Sequence, residues 1–237
     1  MRVAALVPAY QAAAHLGEVL MRLQALADPP DVLVVNDGSR DATEQVARMY
    51  GAPVLSFAGN RGKGHALLAG FAALGDYDAV ITLDSDGQHP PECFPAFVAA
   101  AEAGADVVLG RRRFEGGMPP VRRFANAVSS QWATDLAGQR ISDSQCGYRL
   151  YRREVLAVVP VTPGRYEVES EMAVRAARLG FRVREVEIPT VYGSEQSQIR
   201  VARDVPRILG VLARLAFEGV MPPREMRDAA RRMSRVV

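Results

Sequence analysis

The sequence predicts an α/β fold, a mostly parallel sheet with helices on both faces, and three observations carry that prediction. Short β-branched runs alternate with helix-patterned segments through the first half of the chain. The runs are near-continuously apolar, as strands buried on both faces must be. Polar loops follow them, and right-handed crossovers bring such loops to one edge of the sheet, where ligands of open α/β sheets bind.

Taken in order, strand-like runs at Val3–Val7, Val32–Val35, Val54–Phe57, Ala79–Leu83 and Val107–Leu109 alternate with helical patterns at Leu16–Ala27, Thr43–Met49, His65–Leu74 and Phe94–Ala103. In the loop before the second helix, Ser39 or Asp41 is the expected N-cap. After Gly110 the alternation becomes irregular. Two glycines, two prolines and an arginine run in Arg111–Pro120 suggest a loop that handles anions. Beyond it the sequence predicts a helix over Val121–Leu136, a polar segment Ser142–Arg149, a helix over Val168–Leu179 and a strand at Val183–Ile188. The last expected element is an amphipathic helix, Val201–Phe217, with Val205, Ile208, Leu209, Leu212, Leu215 and Ala216 near one face. It reads first as a helix docked on the core and second as an interfacial helix in peripheral contact with a membrane.

At 237 residues and 49% hydrophobic content, the chain suffices for one sizeable domain. A net charge of +2 is too small to argue for nucleic acid, and the basic stretch Pro222–Val237 reads as a solvated terminus. Two cysteines, Cys93 and Cys146, without a Cys-x-x-Cys spacing or a signal-peptide pattern, indicate a reducing, cytoplasmic setting. No apolar stretch reaches the roughly 18–20 residues of a membrane span. The nearest, Val205–Met221, carries Arg207, Arg214 and Glu218.

The strongest site signal lies in Ala79–Glu92, AVITLDSDGQHPPE, where an apolar run stops at two aspartates one residue apart. Residues i and i+2 of an extended segment project to one face, so Asp84 and Asp86 aim two carboxylates at one point, with Gln88 adding an oxygen nearby. Such hard oxygen ligands suit Mg²⁺ or Mn²⁺ rather than zinc. Lys63, the chain's only lysine, sits in the glycine-rich turn NRGKG, where an ammonium suits a diphosphate or a base edge. Asp37 directly follows the second strand and is placed to present its carboxylate to a base or ribose. His65 and His89 read as structural, and Trp132 and Tyr148 as packing residues.

The order of these motifs resembles the family 2 glycosyltransferases of the GT-A fold, and within them the polyprenyl-phosphate sugar transferases typified by dolichyl-phosphate mannose synthase. The similarity covers about Val3 to Ile199. It rests on VPAY at Val7–Tyr10, NDGSRD at Asn36–Asp41, NRGKGHAL at Asn60–Leu67, DSDGQHPPE at Asp84–Glu92, GRRRF at Gly110–Phe114 and DSQCGYRLYRREVL at Asp143–Leu156. The resemblance implies a Rossmann-like GT-A catalytic domain over 1–200, with a nucleotide-binding half at 1–110 and an acceptor half at 111–200. A helix and basic tail follow at 201–237. It makes Pro8, Tyr10, Val35 and Asp37 nucleotide contacts, Asp84 and Asp86 the metal-binding DxD pair around Ser85, and Gln88 a third metal position. Arg112 and Arg122 or Arg123 match arginines near the acceptor phosphate, and Glu171 matches a position near the active site. The sequence departs from the family at Gln11-Ala12, at Asn36, and at Thr190 and Gln198, which stand where the mannose synthases carry an arginine and a lysine on the donor diphosphate.

The implied activity is a metal-dependent, inverting transfer of a sugar from a UDP- or GDP-linked donor to a polyprenyl phosphate, at the inner face of the plasma membrane. Lys63 and a divalent ion would stabilise charge on the leaving diphosphate. Asp143 is either a general base for a hydroxyl acceptor or an orienting carboxylate for Arg149 or the metal shell. The alternatives are transfer to a hydroxyl of a cell-envelope glycan, or a non-catalytic nucleotide-sugar-binding subunit.

Overall fold

The computed structural model describes residues 1–113, 120–160, 167–189 and 210–218. In chain order the elements are β1 (Val3–Ala9), α1 (Leu16–Gln24), β2 (Asp31–Asn36), α2 (Thr43–Met49), β3 (Val54–Ser56), α3 (Lys63–Ala73) and β4 (Ala79–Thr82). After a 3₁₀ turn at Pro91–Cys93 come α4 (Phe94–Glu102), β5 (Val107–Arg112), α5 (Pro120–Ala137), β6 (Arg149–Arg152), α6 (Arg153–Val158), α7 (Glu167–Arg178) and β7 (Val183–Ile188). A further helix, α8, spans 210–218.

The strands form one sheet in the order β3-β2-β1-β4-β6-β5-β7. All neighbours are parallel except β6, which runs antiparallel to both β4 and β5. The expected mostly parallel α/β sheet is therefore present. Two apolar clusters fill its faces. Leu16, Val19, Leu20 and Leu23 of α1 follow the i, i+3, i+4, i+7 helical stripe and pack with Ala47 of α2 and Phe97 of α4 on one side. Leu67 and Phe71 of α3, Met172 of α7 and Leu212 and Leu215 of α8 pack on the other.

Four differences from the sequence reading have local causes. β6 lies where the sequence suggests a polar segment followed by nothing regular. Its four residues, RLYR, hide between flanking arginines, although Leu150 and Tyr151 are buried on opposite faces of the sheet. β5 runs on to Arg112 instead of ending at Leu109, because it pairs with β7 as far as Ile188. The first helix stops at Gln24, shortly before Pro29 and Pro30. At α2 the N-cap position is Ala42, not Ser39 or Asp41. Asp41 Oδ1 instead accepts the Thr43 N–H at 3.1 Å from just outside the helix, and Ser39 Oγ accepts the N–H of Gln11 at 3.0 Å. Of the expected helix Val201–Phe217, residues 201–209 lie outside the described set. Within α8, Leu212 and Leu215 are fully buried, in agreement with docking on the core, and Phe217 is exposed.

Candidate active site

The sheet order reverses at β1, because β2 and β3 lie to one side and β4 to the other. Loops leaving β1 and β4 therefore diverge and open a crevice at the carboxyl edge. A cleft of about 350 Å³ lies between the loops after β1, β2 and β3, lined by Tyr10, Gln11, Gly38, Phe57 and Asn60 among others. Tyr10 is 40% exposed and presents an aromatic ring there. Gly38, at φ +69°, is required by close approach. A Cβ on it would lie 2.3 Å from the Gly59 backbone, so no other residue lets these two loops meet.

Asp37 is 3% exposed, and its two oxygens accept the N–H groups of Arg61 (2.7 Å) and Gly62 (2.8 Å). It thus fixes the turn that launches α3 and its first residue, Lys63, a structural duty the sequence did not suggest. Gln11 adopts a left-handed φ of +52°, and its Oε1 accepts the N–H groups of Arg40 and Asp41. Pro8 and Val35 are partners across β1 and β2 and both are buried. Val35 contributes its side chain to the core, so only its backbone is at the edge.

At the centre, Lys63 Nζ stands 2.5 Å from Asp84 Oδ1. It also lies 3.0 Å from Glu169 Oε1, a second ion-pair contact. Burial disfavours the ammonium, but the two carboxylates outweigh it and hold Lys63 well above the ordinary amine range. Burial also pushes Asp84 up, yet Lys63, then His89 and Arg112, carry it below the usual carboxylate range. For Glu169 burial prevails over Lys63 and Arg149, and its carboxyl is raised. The difference between the two acids follows the geometry, since the lysine stands nearer Asp84 than Glu169. Gly147 closes over this group. A Cβ there would be 2.6 Å from Asp84 Oδ2 and 2.8 Å from Lys63 Nζ.

His89 has the structural role expected of it. Its Nδ1 accepts the Asp84 N–H at 3.4 Å, and its Nε2 faces Cys146 Sγ at 3.7 Å. Burial, with Arg112 and Lys63, pushes the imidazole down to about 4 against the pull of Asp84. The ring is therefore neutral, with its proton assigned to Nε2 by these partners. Burial and Asp143 push the Cys146 thiol up to about 12, so it is not a nucleophile.

Arg112, at the end of β5, donates to both oxygens of Asp143 at 2.7 and 2.9 Å, and Asp143 is 1% exposed. This bidentate pair orients the guanidinium. The loop carrying Asp143 is tied down by the fully buried Arg149, which donates to the carbonyls of Ser144, Cys146 and Glu169. One side chain thus fastens the loop to the first turn of α7.

Of the remaining expected residues, Asp84, Ser85, Asp86 and Gln88 form the turn after β4, in which Asp86 Oδ1 accepts the Gln88 N–H at 3.0 Å. The side chains of Arg122 and Arg123 lie outside the described set, as do Thr190, Gln198 and Phe114–Pro119. Among the described residues no three of His, Cys, Asp and Glu converge on one cation position. Two carboxylates on one turn still fit Mg²⁺ or Mn²⁺, which keep waters and take further oxygens from substrate phosphates. Trp132 is 45% exposed on α5 and so is not the packing residue expected, whereas Tyr148 is fully buried and stacks on Phe97 at 4.4 Å.

Sequence reasoning missed Glu169 and Gly147, and it offered Arg149 as a partner of Asp143, a place that Arg112 takes while Arg149 donates to carbonyls. It favoured Glu171, but two residues on a helix are about 200° apart. Glu171 faces the other way and pairs with Arg175 and Arg214, both at 2.9 Å, which locks α8 to α7. The Glu-x-Glu spacing showed that only one of the two acids can face a given site; nothing local showed which.

The chain matches the model of the glycosyl transferase family 2 over residues 4–159. It is 34% identical to an undecaprenyl-phosphate mannosyltransferase of Micrococcus luteus, over 81% of this chain and 84% of that protein. It is 33% identical to a dolichyl-phosphate hexose transferase of Haloferax volcanii, over 73% and 76% of the two chains. Among solved structures it resembles glucosyl-3-phosphoglycerate synthase from Mycobacterium tuberculosis in complex with Mn²⁺, UDP and glucosyl-3-phosphoglycerate. That likeness has a TM-score of 0.75 at 23% identity, covers 90% of this chain and 79% of the other, and concerns the fold. The chain belongs to glycosyl transferase family 2 and is a glycosyltransferase of GT-A architecture.

Proposed function

We propose that the protein transfers a sugar from a nucleotide sugar to a polyprenyl phosphate in a single inverting displacement that depends on a divalent cation. The relatives named for undecaprenyl and dolichyl phosphate support the acceptor class. The observation that carries the reading is the Arg112–Asp143 pair. Both carboxylate oxygens are engaged by the guanidinium, so Asp143 serves as an orienting group and not as a base. A phosphate monoester needs none, because with a second pKa near 6 it is mostly dianionic and already nucleophilic at neutral pH. A hydroxyl acceptor would need one.

The chain's own groups divide the work. The cleft at Tyr10 takes the nucleobase, and Asp37 holds the turn that delivers Lys63 to the diphosphate. Asp84 and Asp86, with Gln88 beside them, would hold the Mg²⁺ or Mn²⁺ ion, which supplies charge neutralisation at the leaving diphosphate. Arg112, with Arg123 as a second arginine of the acceptor half, orients the acceptor phosphate. Among the described residues no helix is long and apolar enough to cross a membrane. The protein would meet its lipid acceptor peripherally, at the cytoplasmic face of the plasma membrane.

The test is transfer of radiolabelled sugar from a panel of GDP- and UDP-sugars into organic-extractable lipid, with short polyprenyl phosphates, Mn²⁺ or Mg²⁺, and Asp86→Ala as control. Metal-dependent lipid label that the variant abolishes is the expected result and identifies the donor. Label that appears only in water-soluble glycan would overturn the acceptor assignment.

A further inference from the structure

Lys63 is placed between two acids that differ in kind. Asp84 belongs to the turn that offers hard oxygen ligands, whereas Glu169 sits in the first turn of α7, almost fully buried. The ammonium is 2.5 Å from Asp84 Oδ1 and 3.0 Å from Glu169 Oε1. The ammonium thus bridges the two carboxylates and stands nearer Asp84. A buried carboxylate needs a paired cation, and a shift of about 0.5 Å toward Glu169 would make that contact as short as the present one to Asp84. The backbone that carries Glu169 is fixed, because its carbonyl is held by Arg149 and the next residue, Ser170, donates to Ser144 O at 2.8 Å. Gly147 leaves space beside Asp84 Oδ2 and Lys63 Nζ that any Cβ would fill.

We propose that Lys63 and a divalent cation compete for Asp84, and that Glu169 is the positioning residue that receives the ammonium when Asp84 turns to the cation. The inference rests on the metal-dependent reading above and adds a role for an acid outside the DxD turn. Engagement of Asp84 by a cation then does two things at once. It builds the cation site, and it transfers the lysine from Asp84 to Glu169, which keeps it beside the crevice as a donor for the diphosphate. Without Glu169 the ammonium would have only Asp84 and would resist the exchange.

The test is Mn²⁺ affinity, read from the EPR signal of free Mn²⁺ in the absence of donor and acceptor, for wild type, Asp84→Asn, Lys63→Met, Glu169→Gln and the double variant Lys63→Met/Glu169→Gln. Competition requires Lys63→Met to tighten Mn²⁺ binding and Glu169→Gln to weaken it, each by at least about threefold for charges in contact. In the Lys63→Met background the Glu169→Gln effect should vanish, because Glu169 acts through the lysine; a residue that merely supports the fold would act equally in both. Thermal melting checks each variant. If Glu169→Gln does not fold, Glu169→Asp, which withdraws the charge by one methylene, should shift affinity in the same direction. Wild-type binding that Asp84→Asn does not affect would overturn the metal reading itself, and this inference with it. Binding that needs Asp84 but is unchanged or weakened by Lys63→Met, or independent effects of Lys63 and Glu169, would overturn this inference alone.

Discussion

Replacing Gly147 by alanine perturbs the site by a single methyl group whose consequences can be worked from the structure. The added carbon would stand 2.6 Å from Asp84 Oδ2, 2.8 Å from Lys63 Nζ and 2.9 Å from Asp84 Oδ1. To reach van der Waals contact the Asp84 carboxylate must retreat by roughly 0.8 Å, and Lys63 cannot follow because it meets the same methyl. Gly147 cannot move away easily either, since its carbonyl accepts the Thr82 hydroxyl at 2.9 Å and Arg149 pins the preceding residue. A displacement near 1 Å at a charge-stabilising group costs about 10²-fold in rate, or about 2.7 kcal/mol of barrier. The fold should lose only the usual cost of one overpacked methyl, about 1–3 kcal/mol. Steady-state sugar transfer at saturating donor and acceptor, alongside a thermal melt, separates the two effects. A folded alanine variant that turns over within about threefold of wild type would refute the claim that this glycine makes room for the Asp84–Lys63 pair.

Arg149→Met should be among the most destabilising single changes, since it removes three hydrogen bonds from a charged donor, to the carbonyls of Ser144, Cys146 and Glu169, of which Ser144 O keeps the Ser170 hydroxyl. At about 1.5–3 kcal/mol for each hydrogen bond from a charged donor, a loss of at least about 3 kcal/mol is expected in urea unfolding, and a loss below 1 kcal/mol would contradict the anchoring role. His89 gives a pH dependence of defined sign. Burial holds it at about 4, below its unfolded value near 6.5, so the unfolded chain binds the extra proton first. The stability from burying a neutral ring is complete above pH 6.5 and is lost as pH falls towards 4. The urea midpoint of wild type should therefore fall more steeply between pH 7 and 5 than that of His89→Gln; parallel profiles would mean the imidazole is charged in the native state.

The described structure bears out the elements and differs where burial conflicts with residue chemistry. The apolar runs of β1, β2 and β4 are legible because a strand covered on both faces has nowhere to place polar side chains. β6 was not, because its flanking arginines look like surface residues until Arg149 is seen donating to three carbonyls inside the fold. The same conflict hides Glu169, which reads as a solvated helix start and proves to be a buried partner of Lys63. Asp37 shows the limit from the other side. Its place after β2 made it a candidate for base or ribose contact, but only the folded chain shows both oxygens committed to the turn before Lys63.

By itself, then, the sequence determined the mostly parallel α/β sheet, the polar edge where the loops collect, and the Asp-x-Asp and glycine-rich turns on which the proposed chemistry rests. Those features depend on neighbours within a few residues, where hydrophobic period and turn chemistry act directly. The tertiary structure alone decided that Lys63 lies between Asp84 and Glu169, that Arg112 engages both oxygens of Asp143, and that Gly147 makes room for the charge centre. Each of these is a contact between residues far apart in the chain, brought together by the register of the sheet and the rotation of a helix, and no local pattern encodes either.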